Sequence, residues 1–269
     1  MMRNSLLLID GHNLLFRSYA VPFKFYSANG NPLHVVTTFL SQLRKSVDLT
    51  QPSHIAVVWD SQSPTIRNTQ SAEYKANRKE DYSQEADSPF HHLGIITQVL
   101  DFLNIKHFEF SGTEADDAIA TFTELFLAKN KQGRNKVTIF SLDSDFYQLL
   151  CPQVQILKIK KGEVIIYTEK QLKEDFLITP GQYILYKSLV GDASDNIKGV
   201  KRIGHKTAAK IINQEISVDL SMYEEVLAMN KKLITLNRNA DILAEIEDCQ
   251  CEISSIAKKN NEIFSGCCL

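Results

Sequence analysis

Short apolar runs and longer amphipathic stretches alternate through the first 143 residues. Residues 5–10 (SLLLID) and 54–60 (HIAVVWD) read as strands covered on both faces, because such strands are near-continuous aliphatic runs. Residues 106–110 (KHFEF) and 137–143 (VTIFSLD) read likewise. Between them, 35–48, 89–103 and 113–130 carry apolar positions at helical spacing. This alternation predicts an α/β fold, with a mixed, mainly parallel central sheet flanked by helices. QILKIKK and EVIIYT, on either side of Lys161-Gly162, predict a hairpin at the sheet edge. From residue 169 the pattern is wholly helical: Pro180 suits a helix start, and 221–247 gives two more helices. The last twenty residues carry no signal, and the closing GCCL reads as a frayed tail.

Residues 61–88 interrupt this order. The stretch is polar, lacks a core-forming stripe and carries Arg67, Lys75, Arg78 and Lys79. A polar insert of that length inside a compact domain is either functional or disordered. Its middle, SAEYKANRK, has helix-forming composition, which would place Lys75, Arg78 and Lys79 on one face. A solvated surface helix is the plain alternative.

The acids are placed unusually. Glu114, Asp116 and Asp117 crowd the head of the 113–130 helix, with Thr113 as its expected N-cap; taken alone, they suit the positive end of the helix dipole. Asp10 and Asp60, however, end strands, Asp143 and Asp145 follow VTIFS, and Asp192 and Asp195 lie in GDASDN. The carboxyl ends of parallel strands border the crevice where open α/β sheets bind ligands. So many gathered anions need counter-ions, and an all-oxygen donor set calls for hard divalent cations.

Residues 197–213, IKGVKRIGHKTAAKIIN, read as two short helices meeting at G-V-x-x-I-G, a helix–hairpin–helix. Gly199 and Gly204 would let the backbone approach a phosphate, the helix that Thr207 enters would offer N–H groups, and Lys201, Arg202 and Lys206 add charge.

Composition changes the picture only through charge. The formal −2 argues against a polyanionic partner, yet setting aside the nine clustered carboxylates turns it into +7. Five cysteines show neither zinc spacing nor an even disulfide framework, which suits a reducing cytoplasm. None of the seven histidines has metal-ligand spacing, and His91 and His92 read as helix-surface residues. The apolar run at Leu6 stops at Asp10, too short for a leader or a membrane span.

In order along the chain, DGHNLLFR, the Asp60 strand end, YKANR, GTEADD, SLDSDF, GDASDN and GVKRIGHKTA resemble the structure-specific 5′ nucleases, over about residues 5–215. That family includes the 5′-nuclease domain of bacterial DNA polymerase I and stand-alone phage 5′-exonucleases. The resemblance implies a PIN-like core (1–168) with a helical arch at 61–88, and a helical region (169–269) holding the hairpin at 196–215. It implies metal-dependent 5′-3′ exonuclease or flap endonuclease activity with two or more Mg²⁺, which Mn²⁺ could replace. Asp10, Asp60, Glu114 and Asp116 would form one metal group and Asp143, Asp145, Asp192 and Asp195 another, with Asp116 and Asp117 between them. Lys75 and Arg78 would act on the scissile phosphate beside Tyr74, and Arg17 and Lys187 would lie near DNA. The hairpin would grip duplex and hold a potassium ion. Lys201-Arg202 stands where many relatives have a glycine, a departure that bears on the closest backbone–phosphate approach. The implied partners are DNA with 5′ ends, flaps or nicks, and RNA primers, met by a cytoplasmic, free-standing monomer. Two rivals share parts of the pattern: a PIN-like ribonuclease, and a non-catalytic hairpin module that binds DNA.

Overall fold

The computed structural model describes residues 4–26, 32–65, 67, 69, 71, 73–76, 88–129 and 133–266, with the side chains of 260–266 excepted. Six strands form one sheet in the order β3-β2-β1-β4-β5-β6. β1 (Ser5–Asp10) lies between β2 (His54–Trp59) and β4 (Lys136–Phe140), and β3 (Lys106–Glu109) and β5 (Val154–Lys160) extend it outward, all parallel. β6 (Glu163–Tyr167) closes the edge antiparallel to β5, as the Lys161-Gly162 turn predicts. The fold is therefore the expected mixed, mainly parallel one. Chain order reverses between β1 and β4, which opens a crevice at their carboxyl ends.

The central strands β1, β2 and β4 have no polar face because helices cover both sides. Successive side chains of a strand point to opposite faces. Leu6, Leu8, Val137 and Ile139 thus join one core with α4 (Ala115–Ala128), whereas Leu7, Ile9, Ile55 and Val57 join another. That second core takes in α1 (Gly11–Tyr19), α2 (His34–Thr50) and α3 (Leu93–Phe102).

The first core runs on without a break into the helices that follow β6. Leu172 of α5 (Glu169–Phe176), Leu189 of α6 (Tyr183–Val190), Ala208 of α7 (His205–Ile212) and Leu227 of α8 (Glu224–Ile234) all belong to it. The last described helix is α9 (Ile253–Gly266), whose Ile256 is buried in the second core; the tail beyond it lies outside the described residues. No described helix is long and apolar enough to cross a membrane.

The expectation of an all-helical run beyond 169 fails at GDASDN. Gly191–Asp192 (β7) pairs antiparallel with Ile197–Lys198 (β8), so the first helix of the hairpin is α6, and Ile197 belongs to a strand. Two-residue strands have no periodicity for a sequence reading to find. Gly191 takes φ +86, and a methyl group on Gly199 would sit 2.2 Å from the Val190 carbonyl oxygen. Backbone presses on backbone there and neither side can yield. Gly199→Ala should therefore cost at least about 2 kcal/mol in urea unfolding. Gly204→Ala, with nothing within 4 Å of the added carbon, should be close to neutral. Equal losses for the two variants would contradict this account.

Candidate active site

Each strand facing the crevice delivers an acid to it. Asp10 ends β1 and caps α1: Asn13 N–H donates to Oδ1 at 3.1 Å and Ser141 Oγ to Oδ2 at 2.8 Å. Burial raises its pKa to about 7, helped by the charges of Asp60 and Asp143 against these two hydrogen bonds. Asp60 follows β2 and accepts the Ala115 N–H, at the start of α4, at 2.9 Å. Desolvation tends to raise it, but His12, the Ala115 N–H and Lys75 hold it down to about 2. His12 Nδ1 accepts the Asp60 N–H at 3.0 Å, which leaves Nε2 to carry the proton of the neutral ring. β4 stops at Phe140, short of the expected Asp143, and Asp143 instead caps a 3₁₀ turn at Ser144–Leu149. Asp116, in the first turn of α4, is driven well above the usual carboxylate range by desolvation and by Asp143 and Asp10.

The expected N-cap, Thr113, is displaced. Gly112 at φ +73 and a bond from Thr113 N–H to the Phe110 carbonyl make a turn, so Glu114 becomes the capping residue. Its carboxylate makes no cap bond because other donors claim it. Thr65 Oγ1 (2.9 Å), Tyr74 Oη (3.2 Å), Lys75 Nζ (2.7 Å) and Arg67 Nη1 (3.2 Å) all reach it. Burial opposes its charge, but Lys75 and Arg67 prevail and its pKa falls.

Asp145, Asp192 and Asp195 form a second group, with one carboxylate oxygen of each within 4.8 Å of the others. Burial, with Asp143 and Asp195, raises Asp145 to about 7 against the pull of Lys187. Lys187 Nζ donates to Asp145 Oδ1 and, at 2.5 Å, lies against Asp192 Oδ2. Lys187, expected near DNA, is buried, a cation lodged between two carboxylates.

Other expected residues are placed as follows. Asp117 Oδ1 accepts Arg67 Nη2 at 2.6 Å and Asn237 N–H at 2.8 Å. Tyr74 is buried against Ile197, Leu233 and Ile234, so the 61–88 segment does have an apolar anchor. Residues 73–76 form a turn with Lys75 at φ +55, not the expected helix. The Lys75 N–H bonds the Asp195 carbonyl at 3.0 Å and Asn196 Nδ2 bonds the Glu73 carbonyl at 2.8 Å, and these contacts override helix propensity. Arg78 lies outside the described residues. Arg17 is exposed on the last turn of α1. Lys201, Arg202, Gly204 and Lys206 are exposed at the hairpin, with Thr207 half-buried beside them. Arg202 takes φ +69, the backbone geometry a glycine would supply, so the turn survives the loss of that residue.

Sequence reasoning gave Arg67 no role. It is 7% exposed and bridges Glu114 and Asp117, and Nη2 also donates to the Thr235 carbonyl at 3.0 Å. An arginine in a polar stretch reads as solvated, and no spacing rule marks it otherwise. The ligand atoms that the carboxylates of both groups offer are oxygens, a set that suits Mg²⁺ or Mn²⁺ better than zinc.

The 5′-3′ exonuclease N-terminal resolvase-like domain matches residues 5–177, and the 5′-3′ exonuclease C-terminal SAM fold matches 178–257. The 5′-3′ exonuclease of Bacillus subtilis (strain 168) is 36% identical over 225 residues, covering 81% of this chain and 73% of that protein. DNA polymerase I of Lactococcus lactis subsp. cremoris (strain MG1363) is 29% identical; the match covers 95% of this chain but 31% of the polymerase. The bacteriophage T5 D15 protein, crystallised with metal ions, superposes with a TM-score of 0.70 at 23% identity, over 97% of this chain and 99% of that one.

Proposed function

The chain belongs to the 5′-3′ exonuclease family, and from that premise we propose that it hydrolyses phosphodiester bonds of DNA near 5′ ends, flaps and nicks, using divalent metal ions. The observation that carries this is the gathering of carboxylates at the reversal of strand order: Asp145, Asp192 and Asp195 lie together, and Asp10, Asp60 and Asp116 interact with one another, Asp10 and Asp116 also with Asp143. Asp10, Asp60, Glu114 and Asp116 would hold one metal, and Asp145, Asp192 and Asp195 another, with Asp143 between them. Mg²⁺ is the expected ion and Mn²⁺ its substitute. Bound there, the metals would lower the pKa of a water and offset charge on the leaving 3′ oxygen.

The chain's own residues have three tasks. The raised pKa values of Asp10 and Asp145 reflect negative charge crowded into a desolvated crevice, which is why the site favours cations. Lys187 balances Asp145 and Asp192 until a cation takes that place. Lys75, anchored through its own N–H and through Tyr74, can exchange Glu114 for the reacting phosphate, with Arg78 as its proposed companion. The exposed hairpin, Gly199 to Thr207, would grip duplex DNA with Lys201, Arg202 and Lys206, and its backbone carbonyls would hold a potassium ion. Arg17, exposed on the last turn of α1, would add a further phosphate contact. On this reading residues 1–168 form the nuclease core and 169–269 the helical DNA-binding region of a monomer, with RNA primers as a further substrate.

Product mapping on a 5′-end-labelled flap tests the proposal. Cleavage near the junction in Mg²⁺, abolished by EDTA, is the expected result. Cleavage of single-stranded RNA without cleavage of flap or nicked DNA would overturn it. For the hairpin, replacing Lys201, Arg202 and Lys206 together by Ala should weaken duplex binding and flatten log K against log salt by about 0.9 per lost contact. An unchanged slope would return these residues to the solvated surface.

A further inference from the structure

A groove of about 1020 Å³ opens beside Asp60, between the carboxyl ends of β2 and β3. Along the sheet edge the second acid group follows β4, the first group sits at β1 and β2, and this groove comes last. It therefore lies across the first acid group from the hairpin. Its wall is aromatic. His12 meets Trp59 edge-to-face at 5.4 Å and Phe90 at 5.5 Å, and Phe16 meets Phe90 at 5.5 Å and 89°. The hydrogen bond from Asp60 N–H fixes the imidazole, so these faces are set before anything binds. Phe90 remains 38% exposed, whereas Trp59 is buried at 4%. Neither lysine nor arginine is found among the described lining residues, while the carboxylates of Asp60 and Glu109 are present. Such a wall offers π faces to a ligand. Both ends of the 61–88 segment, at Ser61 and Ser88, stand on its rim.

We infer that this groove receives the unpaired bases of a 5′ flap as they leave the reacting phosphate, stacking them on Phe90 and its aromatic neighbours. The inference rests on the nuclease reading for its choice of ligand. A strand whose duplex lies on the hairpin and whose scissile phosphate lies among the acids continues in this direction. Stacking on an aromatic face is indifferent to base identity, so the groove would accept any sequence.

The test uses the full chain in EDTA with three DNAs: a short flap with its bases, the same flap made abasic, and a nicked duplex without a flap. Wild type should bind the base-bearing flap roughly tenfold more tightly than the abasic one. The emission of Trp59, the single tryptophan, should change with the first DNA only. Phe90→Ala should erase the preference and Phe90→Trp should retain it, and both should cut the nicked duplex in Mg²⁺ at the wild-type rate. A Phe90→Ala protein that still prefers bases as wild type does, or a wild type without the preference, would overturn the inference. Base-dependent binding that Phe90→Ala erases, in a protein that cuts none of the DNAs in Mg²⁺, would overturn the nuclease reading and leave the groove standing.

Discussion

Asp10→Asn should reduce the single-turnover rate on saturating flap DNA by at least about a thousandfold and at the same time make the metal-free protein more stable. Asparagine caps a helix as well as aspartate does, so α1 keeps its start and the crevice its shape. What disappears is one buried negative charge among like charges. The pH dependence gives the sign. Asp10 and Asp145, both raised to about 7, bind protons in the folded state that the unfolded chain releases above about 4. Between those limits the folded state holds more protons, and stability falls as pH rises. Asp60, Glu114 and Asp192 are shifted down, so their contributions are complete above about 4 and fade only at lower pH, outside the window. Wild type in EDTA should thus melt on the order of 5 °C lower at pH 7.5 than at pH 5. Mg²⁺ should restore that loss at pH 7.5, and Asp10→Asn should shrink it. Melting scans at the two pH values, with and without Mg²⁺, read all three; a flat wild-type profile would contradict the crowded-charge account.

The strand-end acids were legible because the alternation of apolar runs itself says where each strand stops, and parallel strands stop on one side of the sheet. The sorting within GTEADD was not. Consecutive helical residues differ by about 100° around the axis, so Asp116 and Asp117 point in different directions. Only the position of Arg67 and Asn237 decides which of the two turns away. Helix propensity misled at Lys75, because the contacts that bend residues 73–76 come from 195–196, over a hundred residues away. The burial of Lys187 is invisible in a sequence that gives it ordinary helical spacing.

Arg67 and Lys75 both pair with Glu114, and their removal should have opposite consequences. Arg67 is held on three sides, by Glu114, Asp117 and the Thr235 carbonyl, and is 7% exposed. Breaking such a buried set leaves uncompensated charge, so Arg67→Ala should destabilise the protein by about 3–5 kcal/mol. Lys75 sits on a left-handed turn at the rim, with 17% of its side chain exposed. Its ammonium touches Glu114 at 2.7 Å and lies 4.9 Å from the centre of the Tyr74 ring. If it departs, Arg67, Tyr74 and Thr65 still satisfy Glu114, so Lys75→Ala should cost on the order of 1 kcal/mol of stability. Its effect should fall on the chemical step. A cation that meets the phosphate chiefly in the transition state lowers the rate at saturation far more than it weakens binding. We expect Lys75→Ala to slow single-turnover cleavage by about a hundredfold or more, with affinity changed only a few-fold. Urea unfolding and single-turnover rates on both variants settle the division. A Lys75→Ala enzyme that reaches the wild-type rate at saturation would make Lys75 a substrate clamp and leave the reacting phosphate to other cations.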